Sequence, residues 1–231
     1  MATQFLIALL VTAAFAGLAY ALGMVSPSGA LGGLLVGTIV YASLGPRGFA
    51  VLTLFVVGGS VLTKIGYRSK QRAGTAQEHG GRRGARNALA NCAIAVICAV
   101  LARATDSDLF TVAFVASLGA AFADTSESEI GQLLGRTPRL VTTLRKVPPG
   151  TDGAVSLPGT LAGVVAASLT AALALVLGLL ESPTTALLLA TAAFLGTIAD
   201  SLIGARYPRI GNEATNVICT FVAAALAAII A

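Results

Sequence analysis

Apolar and polar positions form long alternating blocks along this chain of 231 residues. A helix needs about 20 mostly apolar residues to cross the hydrocarbon of a bilayer. The pattern predicts about eight membrane-spanning helices, at residues 4–23, 28–45, 48–63, 87–103, 109–124, 158–180, 184–202 and 213–231. Three of these stretches are short for a full span, so the expected number is seven to nine. We therefore predict an all-α fold, a polytopic transmembrane helix bundle that forms a single domain over residues 1–231.

The composition supports this class of protein. Hydrophobic residues make up 56% of the chain and charged residues 11%, whereas a soluble domain carries about a quarter charged residues. Small residues recur four positions apart, as at Gly29, Gly33 and Gly37, a spacing that lets helices approach closely in lipid. The bundle is therefore predicted to be tightly packed, and the same packing is compatible with a homodimer.

The basic residues are concentrated in a few connections between the apolar blocks. Thirteen of the 15 Lys and Arg residues lie in segments 64–86, 124–152 and 200–213. Counting reversals of direction places all three segments on one face of the membrane, and the positive-inside rule makes that face cytoplasmic. The net charge of +5 thus reflects topology, and we expect no nucleic-acid partner. We expect an inner-membrane protein with a basic cytoplasmic loop at 64–86 and an interfacial cytoplasmic loop at 124–158.

Carboxylates stand where two of the predicted spans end. Asp124, Glu127 and Glu129 follow the fifth span, and Asp200 ends the seventh. Acids beside an apolar span are costly in free energy and often functional, and Mg²⁺ binds through one or two carboxylates together with phosphate oxygens. We predict that Asp124, Glu129 and Asp200 are catalytic and hold a divalent cation. The competing interpretation is a solvated helix end capped by Asp, Thr and Ser.

Two pairs of asparagines open spans on the same face of the membrane. Asn87 and Asn91 begin the fourth span, and Asn212 and Asn216 begin the eighth. Residues four apart share one side of a helix, so each pair presents two amides, which bind phosphate or metal without adding charge. A single asparagine is more often a cap or an interhelical hydrogen-bond partner, but two matched pairs favour a binding role.

Basic side chains accompany these acids and amides. Positive-inside topology alone explains most of them, yet arginine also binds phosphate oxygens in a fork. Carboxylates for a cation and arginine for phosphate together suit a metal-bridged polyphosphate. The predicted substrate-binding residues are Arg83, Asn87, Asn91, Lys146, Asp152, Asn212 and Asn216.

In order along the chain, these residues resemble the motifs of one integral-membrane family, which includes the plant chloroplast phytyl-phosphate kinases of vitamin E (tocopherol) synthesis. The family is distantly similar to dolichol kinases and CDP-lipid synthases. One departure is Asn87, which stands where glutamine is expected. The motifs are Arg83-x-x-x-Asn87-x-x-x-Asn91, Ala123-Asp-Thr-x-x-Ser-Glu-Ile-Gly131, Val147-Pro-x-Gly-Thr-Asp-Gly153, Ala199-Asp-Ser-Leu-Ile-Gly-Ala205 and Gly211-Asn-x-x-x-Asn216.

The resemblance implies a transferase that uses Mg²⁺ and a nucleoside triphosphate, CTP. It would move a phosphoryl group onto a membrane-embedded isoprenyl monophosphate, such as phytyl phosphate, to give the diphosphate. CTP-dependent cytidylyl transfer onto a lipid phosphate is a close alternative. A secondary transporter is a more distant one, because transporter sites lie near the bilayer midplane and no acid falls in the middle of a predicted span. Nucleotide base, prenyl length and oligomeric state are left open.

Overall fold

The computed structural model describes residues 2–230, apart from the side chains of Ala2 and Glu78. Seven of the described helices are long and apolar enough to cross a membrane, which confirms the polytopic all-α fold. Two short helices, α3 and α4, lie between the second and third of them. In chain order the helices are α1 Ala2–Ala21, α2 Pro27–Lys64, α3 Tyr67–Arg72, α4 Glu78–Gly81, α5 Ala85–Thr105, α6 Asp108–Leu134, α7 Leu157–Val176, α8 Pro183–Arg206 and α9 Asn212–Ile230.

Helix α2 accounts for two of the predicted spans. Its 38 residues would extend about 57 Å at 1.5 Å per residue, far more than the roughly 30 Å of a bilayer core. The backbone leaves the helical region at Gly45, with φ 66° and ψ −161°. Pro46 follows, and it cannot donate the hydrogen bond that would continue the helix. The break divides α2 into two arms, 27–44 and 46–64.

Contacts between the two arms show that the chain reverses at this break. The rings of Tyr41 and Phe49 have centroids only 5.6 Å apart, although about 12 Å would separate them along a straight helix. Both ends of α2 also meet Arg83. The Ser26 N–H donates to the Arg83 carbonyl oxygen at 3.0 Å, and Arg83 Nη2 donates to Thr63 Oγ1 at 3.3 Å. The arms are therefore antiparallel, and the bundle has eight apolar segments.

Eight alternating segments place the connections 22–26, 65–84, 135–156 and 207–211 on one side of the bundle. We call this side the polar face. A contact between two of its connections supports the topology, because Lys64 Nζ donates to the Leu22 carbonyl oxygen at 2.7 Å. All three charged segments thus lie at the polar face, as the charge pattern predicts.

Helix α6 lies at the centre of the bundle. It contacts α2, α5, α7, α8 and α9. Of the apolar 18-residue stretch of this helix, 78% is buried inside the bundle. Small residues make the contacts close: a Cβ added at Gly119 would lie 3.3 Å from Ala193 Cβ of α8, and one added at Gly196 of α8 would lie 3.4 Å from Ala120 Cβ of α6. Whatever projects from the polar-face end of α6 is therefore surrounded by other helices.

The polar-face end of α6 extends beyond the predicted span. The apolar block ends at Asp124, but the helix continues to Leu134, so segment 124–158 is helical over 124–134 before it becomes a loop. That loop contains a two-stranded antiparallel sheet of β1 Arg139–Leu140 and β2 Ala154–Val155. The helical extension places the acids of this segment on successive turns beside the neighbouring helices.

Candidate active site

A polar cavity of about 360 Å³ opens at the polar face. Helices α5, α6, α8 and α9 contribute to its walls, together with loop residues 149–156. Eight of the ten predicted site residues line it. They are Arg83, Asn87, Asp124, Glu129, Asp152, Asp200, Asn212 and Asn216.

Four carboxylates from two helices line this polar cavity: Asp124, Glu127 and Glu129 of α6, and Asp200 of α8. At 1.5 Å per residue, Asp124 lies about 24 Å and Asp200 about 26 Å from the far ends of their helices, so the two acids share one depth. Glu127 Oε1 accepts a hydrogen bond from Thr197 Oγ1 at 3.0 Å. Asp200 Oδ1 is buried without a hydrogen-bond partner among the described residues.

Glu127 is a cavity residue that the predicted metal set does not include. It lies three positions after Asp124, on the same face of α6, and this spacing is the sequence signal that could have identified it. Within residues 2–230, no group of three or more His, Cys, Asp or Glu side chains forms a ready-made metal cage. A cation held here would therefore need further oxygen ligands, as Mg²⁺ commonly does from water and substrate phosphates.

Glu129 lines the cavity, but both of its oxygens are engaged by neighbouring residues. Oε2 forms a 2.5 Å ion pair with Lys70 Nζ, and Oε1 accepts from Thr63 Oγ1 at 2.7 Å. Lys70 also donates to the carbonyl oxygens of Leu62 and Thr63, and the side chains of Lys70 and Glu129 are only 1% and 3% exposed. This buried pair joins α3 and the end of α2 to α6. A metal-binding role for Glu129 would require one of these contacts to be given up.

Arg83 is a half-buried cation with neutral partners. Its Nη1 donates to Asn87 Oδ1 at 3.2 Å and its Nη2 to Thr63 Oγ1 at 3.3 Å, and both nitrogens lie 3.5 Å from Thr125 Oγ1. Nε has no partner. None of the carboxylates whose side chains are described pairs with it. Burial lowers the pKa of Arg83 because its charged form has lost hydration, so the site favours an anion.

The predicted amides divide between the cavity wall and the layer beneath it. Asn87, Asn212 and Asn216 line the cavity, and the buried Asn216 Oδ1 has no partner among the described residues. Asn91 lies below, 1% exposed, where its Nδ2 donates to the Asn87 carbonyl oxygen at 2.9 Å. Lys146 is exposed and does not line the cavity.

The Gly-Thr-Asp-Gly turn rests directly on the end of α8. Gly153 has φ 72°, and a Cβ at this position would collide with the backbone of Ser201 and Ala205. On the other side of the contact, a Cβ at Gly204 would lie 3.2 Å from the Gly153 nitrogen. The two glycines allow the backbones to touch, and this contact holds Asp152 at the cavity wall. Sequence reasoning assigned Asp152 but missed the role of Gly204.

Comparison with known proteins identifies the family. The family model described as Integral membrane protein DUF92 matches residues 10–225. The chain belongs to this family. All ten predicted site residues lie within the matched region, in agreement with the resemblance that the motifs predict. No solved structure matches the chain.

Three relatives cover most of this chain. It is 38% identical over 202 residues to the uncharacterized membrane protein sll0875 of Synechocystis sp., which covers 84% of this chain and 77% of the relative. It is 35% identical over 204 residues to Protein VTE6, chloroplastic, of Arabidopsis thaliana, which covers 84% of this chain and 61% of the plant protein. It is 34% identical over 198 residues to the uncharacterized membrane protein MJ0933 of Methanocaldococcus jannaschii, and the match covers 84% of this chain and 80% of the relative.

Proposed function

We propose that this protein is a membrane transferase that moves a phosphoryl group from CTP onto an isoprenyl monophosphate of the phytyl type, with Mg²⁺ as cofactor. One observation carries the proposal. Among the described residues, a half-buried arginine without a carboxylate ion-pair partner shares one cavity at the membrane surface with three carboxylates that have no cationic partner, Asp124, Glu127 and Asp200. Family membership and the motif resemblance to phytyl-phosphate kinases support the same activity.

The charges explain why a metal-bound polyphosphate suits this cavity. Asp124, Glu127 and Asp200 have like charges and repel one another, and a divalent cation removes that repulsion. Arg83 needs an anion, and arginine binds phosphate oxygens in a fork. A triphosphate that carries Mg²⁺ brings a cation to the three acids, and phosphate oxygens of the acceptor and of the transferring group bring negative charge to Arg83.

The donor atoms also fit Mg²⁺, which prefers oxygen ligands. Asp124, Glu127 and Asp200 supply carboxylates, and the orphaned Asp200 Oδ1 and Asn216 Oδ1 are oxygens without a partner. When bound, Mg²⁺ supplies charge neutralisation on the transferring phosphate oxygens. We assign Glu129 a positioning role, because Lys70 and Thr63 occupy its oxygens.

The transfer needs no covalent intermediate on the protein. An ionised oxygen of the acceptor phosphate attacks the γ-phosphorus and forms the new P–O bond. The bond from that phosphorus to the bridging β,γ-oxygen breaks, and its electron pair leaves with the nucleoside diphosphate. Because the attacking oxygen carries no proton, no general base is required. Arg83 and Asn87 hold and orient phosphate oxygens, so the chain acts by position and charge.

The orientation follows from the distribution of charge. Basic connections face the cytoplasm in most membrane proteins, and in this chain they lie with the cavity at the polar face. We propose that this face is cytoplasmic, in a cell inner membrane, so that CTP reaches the cavity from solution.

The direct test incubates the purified protein in detergent with Mg²⁺, CTP and phytyl phosphate, and separates the products. We expect CDP and phytyl diphosphate. Pyrophosphate with a cytidylylated lipid would replace the proposal by cytidylyl transfer, and no turnover with any nucleoside triphosphate would refute it. Asp124→Asn should abolish turnover. Asp108→Asn is the matched control, because Asp108 begins the same helix at the opposite face and should leave the rate unchanged.

A further inference from the structure

A second cavity lies beside the polar one. It has a volume of about 270 Å³ and runs between α1, the two arms of α2 and the start of α5. Its walls are almost entirely hydrocarbon, and we call it the apolar groove. Arg83 and Asn87 line both the apolar groove and the polar cavity, so the two spaces meet at the half-buried guanidinium.

We propose that the apolar groove binds the hydrocarbon chain of the isoprenyl phosphate, with the phosphate at Arg83; this rests on the proposed function. The occupant must match a space that is apolar along its length and cationic at one end. An amphiphile with one anionic head and one hydrocarbon tail has this distribution. The position of the groove beside α1 suits such a molecule, because only 11% of the apolar stretch of α1 is buried within the bundle, so this helix borders the bilayer.

The groove has a polar end and a far end. On α1 its lining runs from Thr12 to Leu22, about 15 Å at 1.5 Å per residue. Gly29 marks the polar end, since a Cβ there would collide with the carbonyl oxygen of Arg83. At the far end, the rings of Phe15 and Phe49 pack edge to face, with centroids 5.1 Å apart. A chain longer than the groove would continue into the bilayer.

Gly33 offers a way to fill the groove without disturbing the bundle. It lines the groove about 6 Å beyond Gly29, one helical turn deeper, and a Cβ at Gly33 would meet no atom within 4 Å. Gly17 is a matched control: it is also inside a helix, a Cβ there would also meet no atom within 4 Å, and it does not line the groove.

The experiment compares Gly33→Leu with Gly17→Leu. A leucine side chain at Gly33 would take up space that the hydrocarbon chain is proposed to fill, so Gly33→Leu should lower kcat/KM for phytyl phosphate about 10- to 100-fold. The five-carbon substrate dimethylallyl phosphate should be affected much less, because its chain is short. Gly17→Leu should match the wild-type protein with both substrates. Equal loss with both substrates, or no loss with phytyl phosphate, would overturn the assignment.

A binding readout separates this inference from the proposed reaction. Farnesyl phosphate with a diazirine at the far end of its chain is cross-linked to the purified protein, and the labelled peptides are mapped. We expect label on residues 12–22 and 33–57, which is lost in Gly33→Leu and kept in Gly17→Leu.

Such labelling without turnover would refute the proposed reaction and support binding of the hydrocarbon chain in the apolar groove. Turnover with label confined to α7 and α8 would refute the groove alone. Label displaced by bilayer phospholipid would make the groove an ordinary lipid contact. If Gly33→Leu does not fold, the position of the label on the wild-type protein still shows whether the hydrocarbon chain lies in the apolar groove.

Discussion

The ion pair between Lys70 and Glu129 gives the sharpest test of how the site is built. Replacing Lys70 by Met removes the cation and leaves the Glu129 carboxylate, 3% exposed, with Thr63 as its remaining partner. Breaking one side of a buried pair costs about 3–5 kcal/mol. At about 2–4 °C per kcal/mol for a chain of this size, Lys70→Met should lower the Tm by about 6–20 °C.

The double variant Lys70→Met/Glu129→Met shows why the Tm of the single variant falls. It distinguishes the loss of the ion pair itself from the cost of leaving the Glu129 carboxylate without a cation. Removing both charges leaves no carboxylate at position 129 that lacks its cation, and replacing a whole buried pair by apolar residues is often nearly neutral. Thr63 Oγ1 retains its hydrogen bond to the Gly59 carbonyl oxygen at 2.9 Å. We therefore expect the double variant to regain most of the lost Tm.

Thiol labelling is a suitable unfolding assay. The chain has no tryptophan, but Cys92, Cys98 and Cys219 are all buried and free. A thiol-reactive fluorophore should report unfolding in detergent as these residues become exposed. The reasoning is refuted if Lys70→Met leaves the Tm unchanged, or if the double variant is as unstable as the single one.

The same double variant decides between two roles for Glu129. If Glu129 only positions the end of α6, the double variant should turn over substrate with nearly the wild-type dependence on Mg²⁺ concentration. If Glu129 is a metal ligand, the Mg²⁺ concentration needed for half-maximal rate should rise at least about tenfold, because losing even a residue that only supports a ligand costs about 10- to 100-fold in metal affinity or activity. The second result would restore the metal-binding role that the sequence predicts.

Two further predictions concern the cavity walls. Gly153→Ala should lower both Tm and turnover, because it adds a backbone collision to the cost of about 1–2 kcal/mol for a left-handed residue. Gly74→Ala is the control, because Gly74 has φ 71° and an added Cβ would meet no atom within 4 Å; it should show the conformational cost alone. If Gly74→Ala lowers Tm and turnover as much as Gly153→Ala does, the proposed contact between Gly153 and α8 is contradicted. Arg83→Lys should raise KM for the phosphate substrates about tenfold, since a fork that binds two oxygens becomes a point charge. The exposed neighbour Arg82 serves as control, and an Arg82→Lys variant that loses as much would refute a specific role for Arg83.

Much of the fold follows from local pattern. Each apolar block became a helical segment, and the reversal at Gly45 follows from Gly-Pro between two blocks. The end of α6 was harder to predict, because the first acid marks the end of an apolar block but not of a helix. Beyond Asp124 the helix is supported by contacts with α3, α7 and α8, which lie far away in the chain.

The i, i+3 spacing from Asp124 favours Glu127 over Glu129 as a cavity residue, but the sequence could not show what holds each side chain in its direction. Two residues apart on a helix, their side chains point about 200° from each other, so only one can face the carboxylates of the cavity fully. What settles the directions is Lys70, 59 positions before Glu129, and Thr197, 70 positions after Glu127. The apolar groove was equally inaccessible, since its walls come from α1, α2 and α5 and no single segment displays it.

Two cations next to α6, the buried Lys70 and the half-buried Arg83, show how one fold can use positive charge in two ways. Lys70 meets the carboxylate of Glu129, so its charge is neutralised within the protein and contributes only to holding helices together. Arg83 is oriented by the neutral oxygens of Asn87, Thr63 and Thr125, which fix its direction without cancelling its charge. A carboxylate in their place would have stabilised the guanidinium and removed its attraction for phosphate. The use of hydroxyl and amide partners therefore keeps one positive charge available where the polar cavity and the apolar groove meet.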